Sequence, residues 1–174
     1  MLNDRNDAYR LLESLGAPKH LLTHLQLVGE AADELIAAYD ALGIACDATL
    51  VALGVAVHDA GKILHPSELH APGSLHEAAG ESLLLAHGVQ PSVARCCATH
   101  AEWQRQDLSF EERSVALADK LWKGKREPAL ELLVVDEAAR RLGRDRWDVF
   151  PQLDAAFESI ASRGDDRLRR SRNG

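Results

Sequence analysis

The sequence has few residues of the types that favour β-strands. Of its 174 residues, Val, Ile and Thr together supply 17, whereas the helix formers Ala and Leu supply 54. With 46% hydrophobic and 27% charged residues, the composition is that of a globular protein and argues against a disordered chain, a collagen-like repeat or a coiled-coil fibre. We therefore predict an all-α fold, a helical bundle of about seven to eight helices.

Cysteine is also scarce, and long hydrophobic runs are absent. Cys46, Cys96 and Cys97 form neither a disulfide framework nor a Cys-x-x-Cys zinc pattern, which favours a reducing compartment. The longest apolar stretch, residues 48–57, is shorter than the roughly 20 residues that a transmembrane helix needs. The first residues lack the basic and apolar regions of a secretory signal. We expect a cytoplasmic protein with no membrane contact.

Positive charge is in the minority. Lys and Arg number 20 against 27 Asp and Glu, which gives a formal net charge of −7. Binding to duplex nucleic acid requires a basic surface that neutralises phosphates, so duplex nucleic acid is not an expected partner. A small anionic substrate is still compatible with this balance, because a local group of cations can bind it.

Apolar residues recur at intervals that predict amphipathic helices along most of the chain. Pro, Gly, Ser or Asp opens or closes these helices. They cover residues 19–42, 47–61, 75–87, 91–102, 110–122, 128–142 and 148–162. The helix at 47–61 is apolar on nearly all sides, so we expect it to be central. Ser74 and Glu77 are predicted to form a capping box at the start of the next helix.

The sequence contains no repeat of fixed period and no linker long enough to divide it. We expect one domain at residues 1–163, in which residues 20–126 bear the motifs and residues 128–163 form C-terminal helices. The basic residues 164–174 are expected to form a frayed tail. An oligomer is compatible with the sequence, because the C-terminal helices could pack on the bundle or against another subunit.

A histidine and an aspartate stand together at the end of the most apolar predicted helix, as His58 and Asp59. Burying an ionised carboxylate costs several kcal/mol unless charge or hydrogen bonds compensate it. A divalent cation would compensate it; on the dipeptide alone, an aspartate that faces water is the alternative. Further residues of ligand type stand at the ends of apolar helical stretches, namely His24, His76, His100 and Asp119. Together these residues predict a metal site.

These residues resemble the signature of the HD superfamily of metal-dependent phosphohydrolases, in which H, HD and D follow one another on a bundle of helices. The residues that match this order are His24, His58, Asp59 and Asp119. Residues 58–63 are similar to the HD-x-G-K variant, and residues 117–120 are similar to the Ala-Asp segment that closes the site. The resemblance covers about residues 20–126.

His76 and His100 stand where dinuclear members of the superfamily carry ligands of a second metal. The resemblance implies that Asp59 bridges two ions. One ion would be held by His24, His58, Asp59 and Asp119, and the other by Asp59, His76 and His100. Imidazole mixed with carboxylate suits Mn, Fe, Co, Ni or Zn better than Ca, and the sequence leaves the choice among these metals open.

Phosphoryl transfer also needs a cation for the phosphate charge. Lys62, three residues after Asp59, is predicted to be this catalytic phosphate contact; a solvated lysine at a helix C-terminus is the alternative. Lys120 and Lys123 belong to a basic segment after Asp119 and are predicted to bind substrate phosphate, or to form a solvated helix face. Trp103 is predicted to stack on a base or line the pocket, or to belong to the core.

His20 occupies the position at which the HD-GYP branch of the superfamily carries a glutamate ligand of a third ion. The Gly-Tyr-Pro segment of that branch is also missing here, so the sequence does not support a cyclic di-GMP phosphodiesterase. His65, His70 and His87 match no position of the signature and are predicted to be surface or capping residues.

The leading prediction is a phosphomonoesterase or phosphodiesterase acting on a small phosphoester, a nucleotide or nucleotide-derived molecule. A metal-bridging hydroxide would attack the phosphorus, because a metal pair about 3.5–4 Å apart lowers the pKa of bridging water. A mixed-valent di-iron oxygenase is an alternative, since some HD proteins with this ligand set activate oxygen. A non-catalytic module that binds a metal or nucleotide is another.

Overall fold

The bias toward Ala and Leu is expressed as helices along the whole chain. A computed structural model describes residues 1–173, and within them no β-strand occurs. The α-helices are α1 (Arg5–Ser14), α2 (Lys19–Leu42), α3 (Ala48–Val57), α4 (Leu75–Ala86), α5 (Pro91–Ala94), α6 (Cys96–Thr99), α7 (Phe110–Leu121), α8 (Pro128–Leu142), α9 (Arg146–Ala161) and α10 (Gly164–Asn173). Two 3-10 turns lie at Ala60–Ile63 and Pro66–Leu69. The prediction of an all-α fold is confirmed.

The two helices with the clearest end signals have the predicted bounds. Pro18 precedes α2, and Pro128 opens α8, where the missing N–H of proline costs no helical hydrogen bond. Gly43 and Gly143 end them in the left-handed conformation, with φ of +73° and +63°. Local sequence signals are therefore sufficient to predict where these two helices begin and end.

The predicted helix at 47–61 is too long, because α3 ends at Val57 and the chain then forms a 3-10 turn. Gly61 in this turn lies against the backbone of α4. A Cβ atom on Gly61 would overlap the carbonyl oxygen of His76 and lie 2.6 Å from the backbone nitrogen of Gly80. The chain therefore leaves the helix after Val57, and the 3-10 turn packs its backbone directly against the backbone of α4.

The predicted capping box of α4 is wrong, because the Ser74 side chain makes no capping hydrogen bond. Instead, the carboxylate of Glu68, seven residues before Leu75, accepts hydrogen bonds from the backbone N–H groups of Leu75 and His76, each at 3.1 Å. The cap thus comes from the preceding loop and places a carboxylate beside His76. The predicted helix at 91–102 is also interrupted, since Arg95 separates α5 from α6.

Both ends of the chain are more ordered than the sequence predicts. Residues 5–14 form α1, although no helix is predicted there. Residues 164–173 of the predicted frayed tail instead form α10, and Gly174 lies outside the described residues. Arg167 in this helix is 1% exposed, and its guanidinium lies 2.6 Å from Glu34 on α2. Burial of a paired arginine, which a local pattern does not reveal, holds the tail in place. The single domain at 1–163 stays a prediction.

Two clusters of buried apolar residues flank α3. We call the cluster among α2, α7, α8 and α9 the first core, and the cluster among α1, the start of α2 and α4 to α6 the second core. Val51 and Val55 belong to the first core, whereas Leu53 and Val57 belong to the second. The prediction that this helix is central is confirmed. Within residues 1–173, none of the helices has both the length and the apolar character that crossing a bilayer requires.

Candidate metal centre

Five segments converge where α3 ends. His24 lies on α2, and His58 and Asp59 follow α3 directly. His76 lies in the first turn of α4, His100 follows α6, and Asp119 lies in the last turn of α7. The structure brings together all six residues for which the sequence predicts a role as metal ligands.

The Asp59 carboxylate lies at the centre of this cluster. Its Oδ2 atom lies 3.1 Å from His24 Nε2 and 3.7 Å from His58 Nε2. Its Oδ1 atom lies 3.2 Å from His76 Nε2 and 3.8 Å from His100 Nε2. The two oxygens of one carboxylate therefore face two separate pairs of histidines.

Asp119 lies on the side of the first pair. Its Oδ1 atom lies 3.5 Å from His58 Nε2 and 4.0 Å from His24 Nε2. The cluster thus divides into a group of His24, His58, Asp59 and Asp119 and a group of Asp59, His76 and His100, which share Asp59. This is the division that the sequence predicts.

Hydrogen bonds orient three of the imidazoles. The Nδ1 atoms of His58 and His100 lie 2.9 Å and 2.8 Å from the carbonyl oxygens of Val55 and Cys97. Because a carbonyl oxygen only accepts hydrogen bonds, each Nδ1 carries the proton and donates it. In the neutral form of each ring, the Nε2 atom, which points to Asp59, then has a free lone pair. That tautomer is the one in which a metal binds to Nε2.

Glu68 orients the third imidazole, a role that is not predicted from the sequence. Its Oε2 atom lies 2.6 Å from His76 Nδ1, which donates the hydrogen bond. A Cβ atom on Gly73 would overlap the Glu68 carboxyl group, so a glycine leaves the room that this carboxylate needs. Glu68 stands in a loop eight residues before His76, and no motif or helical spacing links the two.

The cluster contains buried polar atoms that nothing in the described chain satisfies. His58 is 0% exposed and Asp59 is 2% exposed. Within residues 1–173, the atoms without a hydrogen-bond partner include His24 Nε2, His58 Nε2, Asp59 Oδ1 and His76 Nε2. Each such atom costs about 1–3 kcal/mol, and a cation in each of the two groups would satisfy them. These residues fit divalent transition metals, for which imidazole and carboxylate are suitable ligands.

Comparison with known families agrees with this geometry. A family model described as the HD domain matches residues 19–124, more than half of the chain. The chain belongs to the HD domain family. Membership places it in a superfamily of metal-dependent hydrolases that bind divalent metals. No match was found among curated proteins or solved structures.

Protonation of His58 and His76 opposes metal binding in this HD domain. Burial lowers the pKa of His58, but the charges of Asp59 and Asp119 outweigh burial and hold the pKa above the ordinary 6.5. Burial likewise lowers the pKa of His76, and Asp59 and Glu68 raise it above the same value. In the metal-free protein both imidazoles therefore keep a proton at a pH where a free imidazole has lost it.

His100, Asp59 and Asp119 are in the state that metal binding requires. Burial, with the charge of His58, lowers the pKa of His100 to about 4, so this imidazole is neutral at pH 7. Burial alone would raise the pKa values of Asp59 and Asp119, but the charge of His58 and the surrounding histidines hold both below their usual range. Both carboxylates are ionised.

We expect the affinity for a divalent metal to increase as the pH rises through and above 6.5. The metal must displace the protons of His58 and His76, which costs up to about tenfold in affinity per pH unit for each proton. Titration of the metal-free protein with Co²⁺ between about pH 5.5 and about pH 8.5 measures this dependence. An affinity that stays constant over that range would contradict it.

Replacing Glu68 by Gln is expected to weaken metal binding by about 10- to 100-fold, because the amide no longer fixes the His76 ring with a charged acceptor. The dissociation constant for Co²⁺ measures the effect. Glu13→Gln, an exposed substitution on α1, serves as the control and should leave the affinity unchanged. Equal affinities of the two variants would show that Glu68 only caps α4.

Lys62 lies in the centre, as predicted, but the 3-10 turn positions it rather than a longer α3. Its Nζ atom donates a hydrogen bond of 2.6 Å to Asp59 Oδ2. Lys120 lies at the edge, with Nζ 3.8 Å from Asp119 Oδ2.

The charge of Lys123 helps to lower the pKa of Asp119, but within residues 1–173 Lys123 forms no ion pair with that carboxylate. Lys123 lines a separate cavity with Arg126 and Glu158, and Trp103 packs against the first core. Helical spacing predicts that Lys123 lies on the same helix face as Asp119 and that Trp103 lies near His100. However, α7 ends at Leu121 and α6 ends at Thr99. The spacing therefore does not apply beyond those ends. Trp122 does contact the metal centre, because its ring centroid lies 4.9 Å from that of His24.

A cavity of about 430 Å³ opens over the centre. It is lined by His20, Leu21, His24, Asp59, Lys62, Leu69, His70, Ser171 and Arg172. His20 and His70 stack at 5.4 Å between ring centroids. His70 is exposed, as predicted, but it belongs to this cavity. His87 caps α4 as predicted, since its Nδ1 lies 2.8 Å from the Leu83 carbonyl oxygen.

Proposed function

We propose that this HD domain is a phosphohydrolase that uses two divalent transition-metal ions to cleave a small phosphoester, a nucleotide or nucleotide-derived molecule. The observation that supports this most strongly is the position of Asp59. Its Oδ1 and Oδ2 atoms face different histidine pairs, which is the arrangement of a carboxylate that bridges two ions. Two-metal sites of this kind are typical of phosphoryl transfer to water.

The chain supplies the ligands and their orientation. In this proposal His24, His58 and Asp119 bind one ion, His76 and His100 bind the other, and Asp59 binds both. When bound, such ions lower the pKa of coordinated water and neutralise charge on phosphoryl oxygens. Carbonyl and carboxylate acceptors hold the rings of His58, His76 and His100, so little reorganisation is needed on metal binding.

Lys62 is proposed to bind the substrate phosphate. Its ammonium group lines the same cavity as Asp59 and His24, at the centre's edge. With the Asp59 charge compensated by a bound metal, the Lys62 ammonium group would donate to a phosphoryl oxygen instead. Lys120 is proposed as a second, outer cation, since its ammonium group lies near Asp119. A fixed cation stabilises the negative charge of the transition state.

The cavity is suited to a small molecule. Its volume of about 430 Å³ lies within the range of roughly 300–1,000 Å³ that is usual for small-molecule sites. Leu21 and Leu69 add apolar surface to a wall that otherwise carries imidazoles and cations. Free cysteines at 46, 96 and 97 are compatible with the reducing cytoplasm that the sequence predicts.

The test is hydrolysis of a panel of phosphoesters, measured as phosphate released from nucleotides and simple phosphomonoesters and as nucleoside monophosphate formed from cyclic nucleotides. The metal-free protein is assayed with Mn²⁺, Co²⁺, Ni²⁺, Fe²⁺ or Zn²⁺ added. Metal-dependent formation of either product supports the proposal. Oxygen uptake by an iron-loaded protein, without phosphate release, would instead indicate a di-iron oxygenase. Nucleotide binding without any product would indicate a non-catalytic module.

A further inference from the structure

We propose that Arg172, at the end of α10, binds a second anionic group of the substrate, so that the preferred substrate carries two phosphates. This inference rests on the proposed function, because it assumes that the first phosphate lies at the metal centre. It concerns a residue outside the segment 19–124 that matches the HD family model.

The start of α10 is held against the loop that follows α7. A Cβ atom on Gly164 would overlap the backbone nitrogen of Gly124, so the two backbones are in direct contact. Gly124 has a φ of +79°, a conformation that favours glycine. Because Asp119 lies in the last turn of α7, this contact fixes α10 relative to the metal centre.

The middle of α10 is held by α2 through ion pairs. The buried guanidinium of Arg167 lies 2.6 Å from Glu34 and donates a hydrogen bond of 2.8 Å to the Ile160 carbonyl oxygen. One turn later, the Arg170 guanidinium donates two hydrogen bonds to the Glu30 carboxylate, at 2.8 Å and 2.6 Å. Bidentate pairs of this kind define orientation as well as distance.

The order of these pairs sets the direction of α10. Later residues of α10 contact earlier residues of α2, since Arg167 meets Glu34 and Arg170 meets Glu30. The two helices are therefore antiparallel along this contact. Continuation of α10 by one or two residues leads toward His24 on α2. Ser171 and Arg172 accordingly line the cavity that also contains Asp59 and Lys62.

Arg172 differs from its neighbours in its charge partners. Arg167, Arg169 and Arg170 are each paired with a carboxylate. Within residues 1–173, Arg172 pairs with none. Guanidinium groups recognise phosphate through two parallel hydrogen bonds. An exposed arginine on a cavity wall, with Lys62 at the metal centre, gives two positions for anions in one cavity.

The same cavity has a wall that suits a flat ring. His20 and His70 stack with an angle of 26° between their planes, and Leu21 and Leu69 lie beside them. A nucleoside could pack against this surface while its phosphates reach the two ends. The ligand class that fits best is a nucleoside bisphosphate, with the scissile phosphate at the metals and the other phosphate at Arg172.

The test compares adenosine 3′,5′-bisphosphate with 5′-AMP as probes of the manganese-loaded protein. We expect the wild type to bind the bisphosphate more tightly. Arg172→Ala should weaken binding of the bisphosphate by about tenfold, the loss of one charge-assisted contact, and leave 5′-AMP almost unaffected. Arg172→Lys should restore part of the affinity, since it keeps the charge but not the fork of donors.

Arg169→Ala is the matched control. Arg169 lies on the same helix, its side chain is 70% exposed, and it pairs with Asp166 on α10 itself. The substitution removes the same charge without touching the cavity over the metal centre, so the affinity for the bisphosphate should not change. Equal losses in Arg169→Ala and Arg172→Ala would indicate a general charge effect and overturn the inference.

Measuring phosphoester hydrolysis as well as bisphosphate binding distinguishes a failure of the role proposed for Arg172 from a failure of the proposed function. If the wild type hydrolyses phosphoesters but Arg172→Ala binds the bisphosphate like wild type, the phosphohydrolase stands and the role of Arg172 is refuted. If no phosphoester is hydrolysed but the bisphosphate binds through Arg172, the cavity is an anion site of a protein with another activity. Failure of the wild type to prefer the bisphosphate over 5′-AMP refutes the inference in either case.

Discussion

Replacing Asp59 by Asn is expected to lower metal-dependent phosphate release by about 10³-fold or more, the equivalent of about 4 kcal/mol in the activation free energy. Asp59 is the only residue shared by the two histidine groups that the described structure places together. An amide offers one neutral oxygen in place of a charged bidentate bridge. The substitution therefore removes charge and a ligand from both proposed metal positions at once.

Metal content gives a readout that does not depend on knowing the substrate. We expect about two ions per chain in the wild type, the number proposed for a bridged site, and one or fewer in Asp59→Asn. Asp40→Asn, an exposed substitution on α2, should match the wild type in both metal content and turnover. If Asp59→Asn kept two ions and wild-type turnover, a bridging role would be untenable.

Replacing Gly61 by Ala is expected to lower the free energy of unfolding by about 3 kcal/mol or more. The added methyl group would overlap the His76 carbonyl oxygen and press on the backbone of Gly80. Backbone atoms within a helix cannot move aside as a flexible side chain can. The 3-10 turn must therefore separate from α4, which also separates Asp59 from His76 and weakens metal binding.

Gly88→Ala distinguishes this steric effect from the general cost of losing a glycine. Gly88 has a φ of +73°, but an added Cβ would have no neighbour within 4 Å. Its replacement should therefore cost only the roughly 1–2 kcal/mol of a left-handed alanine. Chemical denaturation of the metal-free variants measures both values. A smaller loss in Gly61→Ala than in Gly88→Ala would mean that the turn and α4 adjust to each other.

Several features of this HD domain follow from the sequence alone. The bounds of α2 and α8 were predicted from apolar periodicity and from Pro and Gly at the helix ends. The six residues proposed as metal ligands were identified by their chemical type, by their positions at the ends of apolar stretches and by their order. These signals are local, because periodicity, capping and chemical type are properties of a few neighbouring residues.

Other features were decided only by contacts between distant segments. Glu68 reaches His76 because a loop folds back over the start of α4, and Arg167 is buried because Glu34, more than one hundred residues earlier, meets it. Lys123 lies outside the centre because its helix ends before it. Such outcomes depend on where the chain turns and which segments then meet. Local patterns therefore suffice for the fold class and for the chemical types of the proposed ligands. Contacts between distant segments set which side chains orient those ligands and which cations line the cavity.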